Sequence, residues 1–598
     1  MGGTFLAGAG FLEPFSILIK KEKNGSLNQD GIQICMDQTG MIRHTVIMTI
    51  CLLGALFLQV SVVSAGNLSN QVSDILEERI QDPENLRKTA CGAELICGSS
   101  VLAEFYSSRD FRPAWSSDNG LRWEAIVLIR AIIDAELEGL SPEDYHLSSI
   151  EKLLTDIGDD HATNRVSDPQ KFADFDLLLT DAFLVYGSHL SKGRLNPQKI
   201  QSEWFIKTRK VNLLKIFQYA LETSQIEESL AILRPQSDVY DAMKHHLKKY
   251  KDILKSGGWP TISMGSLLQK GSRGDRVFDL RTRLTLTGDM EKSNDTDPLF
   301  FDEALFEAVK KFQKRQGLLI DGMVGPETLK ALNVPVEERI QQIRLNMERW
   351  RWLPRELGER YVLINIANFE LNIVEGERIV STMRVVVGRK ARPTPIFTGR
   401  MTYMELNPYW YIPQKIAQED ILPKILNDPD YLKKENIRVF RTWKDPALEI
   451  DPSTVDWSLI EQGHFPFKLR QEPGSSNALG RIKFVFPNRF SVFLHDTPAR
   501  ALFNKARRSS SSGCIRVENP IELAEYLLKG KPQWNRDRLM TAINRGKRQV
   551  LALPKPINVQ VLYLTAWVEK DGTLNFRDDI YGQDRPLKRA LETRPPIQ

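Results

Sequence analysis

The spacing of apolar residues divides the chain into a helical part and a β-rich part. Between residues 67 and 260 apolar positions recur every three or four residues, which predicts a domain of packed helices. The clearest helices are expected at Leu121–Leu137, Phe172–Leu190 and Asp238–Leu254, and Gly139 follows the first where a left-handed C-terminal residue is needed. We interpret residues 67–260 as a helical scaffold domain without catalytic residues.

A further helix is expected at residues 335–354. Its apolar residues alternate at intervals of four and three and form one stripe, and Leu353-Pro354 ends it. The stripe indicates packing against the scaffold rather than a cofactor site, and it consists of Val336, Ile340, Ile343, Met347 and Trp350.

From Tyr361 onward the apolar period becomes two, which is typical of strands. This pattern stops for about sixty residues, at 415–480, and such a long insertion in a β domain indicates a lid over a site. We expect a mostly β domain at 360–584, completed by a hairpin that turns at Asp571-Gly572, and a polar tail at 585–598. The strands are expected at Tyr361–Ile366, Glu370–Val374, Arg378–Val387, Met401–Leu406, Ile482–Phe486, Phe490–Leu494, Val559–Val568 and Thr573–Phe576.

The N-terminal segment predicts export. Arg43-His44 precede an apolar run at residues 45–63, and Val63-Ser64-Ala65 offers the small residues that signal peptidase prefers. We interpret 41–65 as a signal peptide, Met41 as the initiator and 1–40 as a non-native extension. The alternative is an uncleaved anchor that tethers the protein to the inner membrane, because a run of 19 residues approaches spanning length.

The overall composition and charge do not indicate a particular class of partner. The 598 residues carry a formal net charge of only +5, with no basic stripe interleaved with aromatic residues, so we expect no nucleic-acid partner. No histidine or cysteine spacing suits a metal, and no cofactor is expected. The fold class predicted from these patterns is a multidomain α+β protein.

The cysteines and one histidine supply the candidate chemistry. Cys91 and Cys97 lie six apart in one loop-like segment and could pair in an oxidising compartment, whereas Cys514 follows four serines and a glycine, unlike a core cysteine. His495 lies 19 positions upstream of Cys514, where a strand is expected to end. A cysteine needs a proton acceptor or positive surroundings to become a nucleophile, and His495 supplies the acceptor.

Residues 262–334 resemble the small three-helix peptidoglycan-binding domain that is appended to cell-wall enzymes. The resemblance rests on Gly271-Ser272-Arg273-Gly274-Asp275, on Ala308-Val309-Lys310-Lys311-Phe312-Gln313 and on Asp321-Gly322-Met323-Val324-Gly325-Pro326. It implies binding of glycan or stem peptide.

The β domain resembles the catalytic domain of L,D-transpeptidases. The resemblance lies in Asn407–Pro413, His495-Asp496-Thr497 and Ser511-Ser512-Gly513-Cys514-Ile515-Arg516. Many relatives have histidine at the position of Ser512 and glycine at that of Asp496. Together with the other domains it is similar to the large periplasmic branch of the family, whose members cross-link peptidoglycan through a cysteine and are targets of carbapenems.

The resemblance and the chemistry together predict residue roles. Cys514 is the nucleophile and His495 the base, oriented by the backbone carbonyl of residue 496 or, alternatively, by the Asp496 side chain. The N–H groups of Gly513 and Cys514 are expected to hold the oxyanion. Candidate substrate-binding residues are Arg516, Ser512, Tyr409, Trp410 and Arg508. The neighbouring Lys505 and Arg507 are equally consistent with a solvated basic loop, and Tyr409 and Trp410 could instead fill the core of the sheet.

Three functions remain open from sequence alone. The first is an L,D-transpeptidase that cleaves the bond between the diamino acid and D-Ala of a stem peptide, forms a thioester and passes the acyl group to an amine of another stem. The second is an L,D-carboxypeptidase that uses water. The third is a non-catalytic scaffold that binds peptidoglycan. The expected partners are stem peptides and glycan, and the expected location is the periplasm.

Overall fold

The computed structural model describes residues 68–81, 99–162, 168–201, 204–206, 209–292, 297–355, 357–444, 448–460 and 465–593. The predicted extension and signal peptide, together with Cys91 and Cys97, lie outside these residues. Among the helices that are described, none is long and apolar enough to cross a membrane.

The first domain is helical, as the apolar spacing predicts. Its core forms around the long helix α5, which is buried on most sides. The predicted helix at 121–137 is α-helical only to Ile133 and continues as a 3₁₀ turn that ends at Gly139 in the left-handed conformation. The elements are α1 (Leu68–Gln81), α2 (Ser99–Ser107), β1 (Ser116–Ser117), β2 (Gly120–Leu121), α3 (Trp123–Ile133), α4 (Leu147–Ala162), α5 (Pro169–Lys192), α6 (Pro197–Ile200), α7 (Leu213–Glu222), α8 (Ile226–Leu233) and α9 (Asp238–Lys255).

Three helices with a small core of their own follow, and then the connecting helix. They are α10 (Asp275–Thr287), α11 (Glu303–Gln316) and α12 (Pro326–Leu332), followed by α13 (Val336–Arg351). The apolar stripe of α13 packs on α9, so the expected packing against the scaffold is confirmed.

The third domain is built on a sheet that closes on itself. Its strands in chain order are β3 (Arg360–Asn365), β4 (Glu370–Glu375), β5 (Arg378–Gly388), β6 (Phe397–Leu406), then the lid strands β7 (Trp410–Ile412), β8 (Ile437–Phe440), β9 (Glu449–Ile450) and β10 (Lys468–Gln471), and then β11 (Ile482–Val485), β12 (Leu494–His495), β13 (Ser509–Ser511), β14 (Ile515–Val517) and β15 (Gln549–Leu562). The main sheet has the order β13-β5-β14-β12-β11-β6-β15-β3-β4, and β4 also pairs with β5, which closes the ring. A large apolar core fills it. The expected α+β fold class is confirmed.

The insertion after β6 is a small folded unit rather than only helices and loops. Strands β7 to β10 form a separate four-stranded sheet in the order β7-β10-β8-β9. Short helices cover one face of that sheet and share a core with it. These helical segments are α14 (Gln414–Ile416), a π-helical turn (Ala417–Ile421), α15 (Leu422–Asn427) and α16 (Tyr431–Lys434).

The C-terminal part differs from expectation in two ways. The hairpin at Asp571-Gly572 forms, but its strands β16 (Ala566–Val568) and β17 (Leu574–Phe576) make a separate two-stranded sheet. Because their apolar side chains pack on α9 and α13, the hairpin lies apart from the main sheet, and the expectation that it completes that sheet is wrong. The remaining helices are α17 (Pro520–Leu527), α18 (Arg536–Asn544) and α19 (Asp584–Glu592), the last in a segment for which we expected no element.

Candidate active site

Four ionisable residues form a row across the main sheet. Glu405 on β6 is opposite Lys483 on β11, Lys483 is opposite His495 on β12, and His495 is opposite Arg516 on β14. Residues directly opposite each other on neighbouring strands share a face of the sheet, and the strands lie about 4.8 Å apart. The closing of the sheet therefore places an alternating line of charged and titratable groups on one face.

Cys514 lies beside this row, two residues before Arg516. It directly precedes β14, and the N–H of Phe493 donates to its sulfur. The Phe493 ring lies 5.7 Å from the His495 ring, and Lys483 and Arg516 both act electrostatically on Cys514 and on His495. The sheet thus brings together the nucleophile and base that the sequence predicts, in the company of two cations.

The turn that presents Cys514 is held by side-chain hydrogen bonds. Ser511 Oγ donates to the carbonyl O of Cys514 at 2.5 Å and accepts the N–H of Gly513 at 3.2 Å. Gly513 has φ of +112°, a backbone conformation that residues with a Cβ rarely adopt. The N–H of Gly513 is therefore already engaged, and the N–H of Cys514 is the better candidate for holding an oxyanion.

The loop after β5 also stabilises the turn that carries Cys514. Thr394 Oγ1 donates to the carbonyl O of Gly513 at 2.8 Å and accepts the N–H of Gly388 at 2.9 Å. A side chain at Gly388 would not fit, because its Cβ would lie 2.3 Å from the carbonyl O of Arg392. The cysteine turn and this loop are consequently fixed to each other by close backbone packing.

His495 is oriented by backbone rather than by a carboxylate. Its Nδ1 lies 2.6 Å from the carbonyl O of Asp496, and because a carbonyl only accepts, Nδ1 carries the proton and Nε2 a lone pair. The Asp496 carboxylate is turned elsewhere: Oδ2 accepts the N–H of Arg481 at 2.9 Å and Oδ1 lies 3.5 Å from Arg500 Nη1. Of the two alternatives for orienting His495, the geometry favours the carbonyl.

Burial keeps both members of the pair neutral. It raises the pKa of the Cys514 thiol to about 11, against the opposing effects of the Phe493 N–H, Lys483 and Arg516. Burial, together with Arg516, lowers the pKa of His495 to about 3. At neutral pH the resting site therefore holds a thiol and an uncharged imidazole.

The other predicted site residues differ in how close they lie to Cys514 and His495. Ser512 Oγ accepts a hydrogen bond from Arg392 Nη1 at 2.9 Å. Arg508 is directed away from the row: its guanidinium donates to the carbonyls of Lys505 and Phe369 and lies over the Phe369 ring. The geometry gives Arg508 no direct contact with the Cys514 turn.

The two predicted aromatic residues belong to the lid. Trp410 packs against the lid's own core, whereas Tyr409 lies on the other side, under the guanidinium of Arg470 at 4.5 Å and next to the exposed Tyr411. Arg548 Nε lies 3.0 Å from the Glu405 carboxylate, and Glu405, together with the nearby Tyr411 and Tyr409, raises the pKa of Arg548. Tyr409 therefore borders the Glu405 end of the row, and Trp410 does not.

Sequence reasoning missed several contributors to the site. Lys483 alternates with buried Ile482 and Phe484, so its period-two position indicates only that it faces away from the core. The sequence around Lys483 does not indicate that His495 is its neighbour on the next strand. Thr394 and Arg392 come from a loop more than a hundred residues before Cys514, and no motif marks them.

Comparisons with known proteins agree with this domain arrangement. Residues 359–534 match the model of the L,D-transpeptidase catalytic domain (YkuD), residues 273–332 that of the "Putative peptidoglycan binding domain", and residues 100–247 that of a scaffold domain. These three matches support the domains expected from the sequence motifs.

Two similar proteins are a putative L,D-transpeptidase and an N-acetylmuramoyl-L-alanine amidase. A "Putative L,D-transpeptidase" of Haemophilus influenzae is 34% identical over 250 residues, which are 42% of this chain and 49% of that protein. The chain thus spans about half the length of this relative. The N-acetylmuramoyl-L-alanine amidase CwlL of Bacillus licheniformis is 39% identical over 70 residues, 12% of this chain and 19% of the amidase.

Among solved structures, an L,D-transpeptidase fragment from Xylanimonas cellulosilytica is 17% identical and covers 50% of this chain and 99% of its own, with a TM-score of 0.17. The similarity of this chain to L,D-transpeptidases rests on the domain matches.

Proposed function

We propose that this chain, which contains an L,D-transpeptidase catalytic domain, cross-links peptidoglycan by transferring an acyl group through Cys514. The observation that carries the proposal is the row on the main sheet, in which His495 is oriented by the Asp496 carbonyl beside the Cys514 turn. Export by the predicted signal peptide places the enzyme in the periplasm, where its substrate lies.

The first half-reaction begins from the neutral pair. Cys514 Sγ attacks the carbonyl between the third stem residue, a diamino acid, and the terminal D-Ala, while its proton passes to Nε2 of His495. The oxyanion is held by the N–H of Cys514. His495 then returns the proton to the amine of the departing D-Ala, and a thioester remains on Cys514.

The second half-reaction repeats these steps with a new nucleophile. The side-chain amine of another stem's diamino acid attacks the thioester, Nε2 of His495 takes its proton, and the thiolate leaves and is reprotonated. The product joins two third-position residues. Water in place of the amine gives a carboxypeptidase, the second candidate, which uses the same residues.

Arg516 binds the terminal carboxylate of the donor in this proposal. Its side chain shares the sheet face of His495, and its Nε is buried without a hydrogen-bond acceptor in the described part of the chain. A desolvated guanidinium is stable beside an anion, and the carboxylate of D-Ala lies next to the bond that is cleaved. This contact favours peptides that end at D-Ala.

The helical domain at 273–332 serves as a tether in the same proposal. By resemblance it binds peptidoglycan, and its fusion to the catalytic domain raises the local concentration of stem peptides near Cys514. The relation of the family to carbapenems adds a labelling test, since such a compound should acylate Cys514.

Incubation of the protein with tetrapeptide muropeptides, followed by mass spectrometry, tests the proposal. We expect cross-linked dimers and released D-Ala from the wild type and neither from Cys514→Ala. Ser510→Ala, an exposed serine of the same segment, serves as the matched control and should behave as the wild type. Trimmed monomers alone would favour the carboxypeptidase. Turnover by Cys514→Ala would contradict the mechanism, and no turnover by the wild type would contradict both enzymatic functions.

A further inference from the structure

Tyr581, in the segment between β17 and α19, reaches the loop that supports the Cys514 turn. Its hydroxyl donates to the carbonyl O of Gly388 at 2.7 Å and accepts the N–H of Thr394 at 3.2 Å. The residues that match the L,D-transpeptidase catalytic domain end at 534. Tyr581 therefore contributes to the surroundings of the candidate nucleophile from a part of the chain beyond that match.

Tyr581, Gly388 and Thr394 form a closed cycle of hydrogen bonds. The N–H of Gly388 donates to Thr394 Oγ1 at 2.9 Å, the N–H of Thr394 donates to the Tyr581 hydroxyl, and that hydroxyl donates to the carbonyl O of Gly388. A hydroxyl has a single hydrogen to donate, and Thr394 directs it to the carbonyl O of Gly513 at 2.8 Å. Because Thr394 is fully buried, solvent does not compete for that hydrogen.

The direction of the Gly513 carbonyl determines the direction of the Cys514 N–H. The two groups belong to one peptide unit, which is planar and trans, so they point in opposite directions. A hydrogen bond that fixes the carbonyl therefore also fixes the N–H that is proposed to hold the oxyanion. Gly513 has no Cβ to restrict its backbone, so the orientation of this peptide unit depends on such hydrogen bonds.

The segment that carries Tyr581 is itself held in place. The Tyr581 ring stacks on the Tyr563 ring, with centroids 5.5 Å apart and an angle of 15° between the planes, and the N–H of Tyr581 donates to the Tyr563 hydroxyl at 3.0 Å. The Tyr563 hydroxyl donates to Asp579 Oδ1 at 2.6 Å, and Asp579 Oδ2 accepts the N–H of Asp584 at 2.7 Å. The Tyr581 hydroxyl is thus held at Gly388 by contacts that involve no substrate.

We propose that Tyr581 is a positioning residue for acyl transfer, because it holds Thr394 in the orientation that directs the Cys514 N–H to the oxyanion. The inference rests on the proposed function and concerns the step in which the oxyanion forms. The thiol of Cys514 and its proton transfer to His495 do not depend on Tyr581 in this scheme. Loss of the Tyr581 hydroxyl should therefore slow acyl transfer without changing the reactivity of the thiol.

Tyr581→Phe tests this role, since it removes the hydroxyl and leaves the stacked ring. One oxyanion donor contributes about 100- to 1,000-fold to kcat, and a donor that is misdirected rather than absent should cost about tenfold. We expect kcat for D-Ala release from the tetrapeptide to fall by that factor, with KM within about twofold of the wild-type value. Alkylation of Cys514 by iodoacetamide should keep the wild-type rate, because the sulfur displaces iodide at a saturated carbon and no oxyanion forms.

Controls separate positioning from a loss of stability. Tyr526→Phe is the matched variant, because the Tyr526 hydroxyl donates to Glu375 of β4 at 2.7 Å and accepts from Arg360 of β3 at 2.8 Å. It should keep the wild-type kcat. If Tyr581→Phe slows alkylation and acyl transfer equally, the hydroxyl stabilises the fold or acts on the thiol, and the inference fails. Equal kcat for Tyr581→Phe and the wild type would also overturn it.

Substitution of Thr394 gives a second test. Since Tyr581 acts through Thr394, Thr394→Val should lower kcat at least as much as Tyr581→Phe, and the double variant should be no slower than Thr394→Val alone. Thr394→Ser keeps the hydroxyl and should retain most of the activity. Multiplication of the two separate losses in the double variant would show that Tyr581 acts independently of Thr394 and would contradict the proposed role.

Hydrogen exchange keeps this inference distinct from the proposed function. Loss of one hydrogen bond should accelerate amide exchange of residues 509–516 about 2- to 10-fold in Tyr581→Phe, and Tyr526→Phe should leave it unchanged. No turnover by the wild type together with this acceleration would refute the proposed acyl transfer and leave the positioning of the turn intact. Unchanged exchange in Tyr581→Phe would refute the role of Tyr581, whatever the turnover.

Discussion

At the scale of single residues, the site resembles a neutral general-base pair rather than a preformed ion pair. Burial favours the uncharged forms of both Cys514 and His495. The cations Lys483 and Arg516 favour the thiolate and so lower the pKa of Cys514 against the effect of burial, whereas at His495 they disfavour the imidazolium and lower its pKa further. In the proposed reaction the proton therefore moves only when a carbonyl is in position to be attacked. The neutral form keeps the thiol unreactive while no substrate is bound.

The pH dependence of alkylation follows from this charge state. Since burial raises the pKa of Cys514 to about 11, the thiolate fraction of the free protein should increase about tenfold per pH unit between pH 7 and 9. Iodoacetamide labelling of Cys514, followed by peptide mass spectrometry, should rise with the same slope and show no plateau below pH 10.

Glutathione is the reference for this measurement, because an unperturbed thiol begins to level off near pH 9. His495, whose pKa is lowered to about 3, should add no inflection between pH 5 and 8. A labelling rate that is flat from pH 5 to 9 would mean a preformed thiolate–imidazolium pair and would contradict the neutral pair.

At the scale of elements, Arg392 connects the lid to the cysteine turn. Its side chain, only 8% exposed, pairs with Glu419 and with Asp420 and donates to Ser512 Oγ. Glu419 and Asp420 belong to the π-helical turn at the start of the lid, and π-helical turns are frequent at functional sites. One guanidinium thus links the position of the lid to that of the turn carrying Cys514.

Replacing this arginine should loosen both elements. Arg392→Met removes the donor of Glu419 and of Ser512 Oγ and leaves Asp420 with Arg389 alone. Each lost charged hydrogen bond is worth about 1.5–3 kcal/mol. Hydrogen exchange of residues 414–427 should accelerate, and D-Ala release should fall roughly tenfold or more. Both can be measured on the same preparation.

Arg438→Met is the matched control, because Arg438 also pairs with a carboxylate, Glu449, but on the lid surface. It should leave exchange at 414–427 as in the wild type. Unchanged exchange in Arg392→Met would show that the lid is held by its apolar contacts, and the proposed link would have to be abandoned.

At the scale of the whole molecule, helix α13 joins all three domains. Its apolar stripe faces α9, while buried polar residues bind the other parts: Arg339 contacts Gln316 of α11, and Asn346 contacts Thr565 next to the C-terminal hairpin. Arg351 donates to the carbonyl of Glu138 in the scaffold. The position of the catalytic domain relative to the other two is therefore set by specific buried contacts of this helix.

Arg351 allows a test of that role. Besides the Glu138 carbonyl it binds Glu348 at 2.8 Å and the hydroxyl of Tyr240 at 3.1 Å, with its side chain 1% exposed. Removing one partner of a buried ion pair leaves the other charge uncompensated, at a cost of about 3–5 kcal/mol. Urea unfolding of Arg351→Met, followed by tryptophan fluorescence, should show this loss.

Arg355→Met, an exposed arginine after the same helix, should unfold at the wild-type urea concentration. Equal midpoints for Arg351→Met and Arg355→Met would indicate that the buried contacts of α13 do not hold the domains together.

Local pattern was sufficient to predict most elements and to single out Cys514 and His495 as the candidate pair. The strands expected at Tyr361–Ile366 and Glu370–Val374 lie within a residue of those observed, since alternation of apolar and polar side chains depends on neighbours along the chain. The strand expected at Phe490–Leu494 is an exception: only Leu494–His495 pair, because Asn488 and Ser491 bend the preceding backbone.

The sequence by itself therefore determined the order of domains, the period of each element and the identity of Cys514 and His495 as candidate nucleophile and base. Only the tertiary structure decided their surroundings: Lys483 beside His495, Thr394 and Arg392 behind the cysteine turn, and the hairpin at 566–576 packed on α13. The physical reason is that strand register and the packing of distant segments depend on the closure of the whole sheet. The spacing of apolar residues along the chain does not indicate which strands become neighbours.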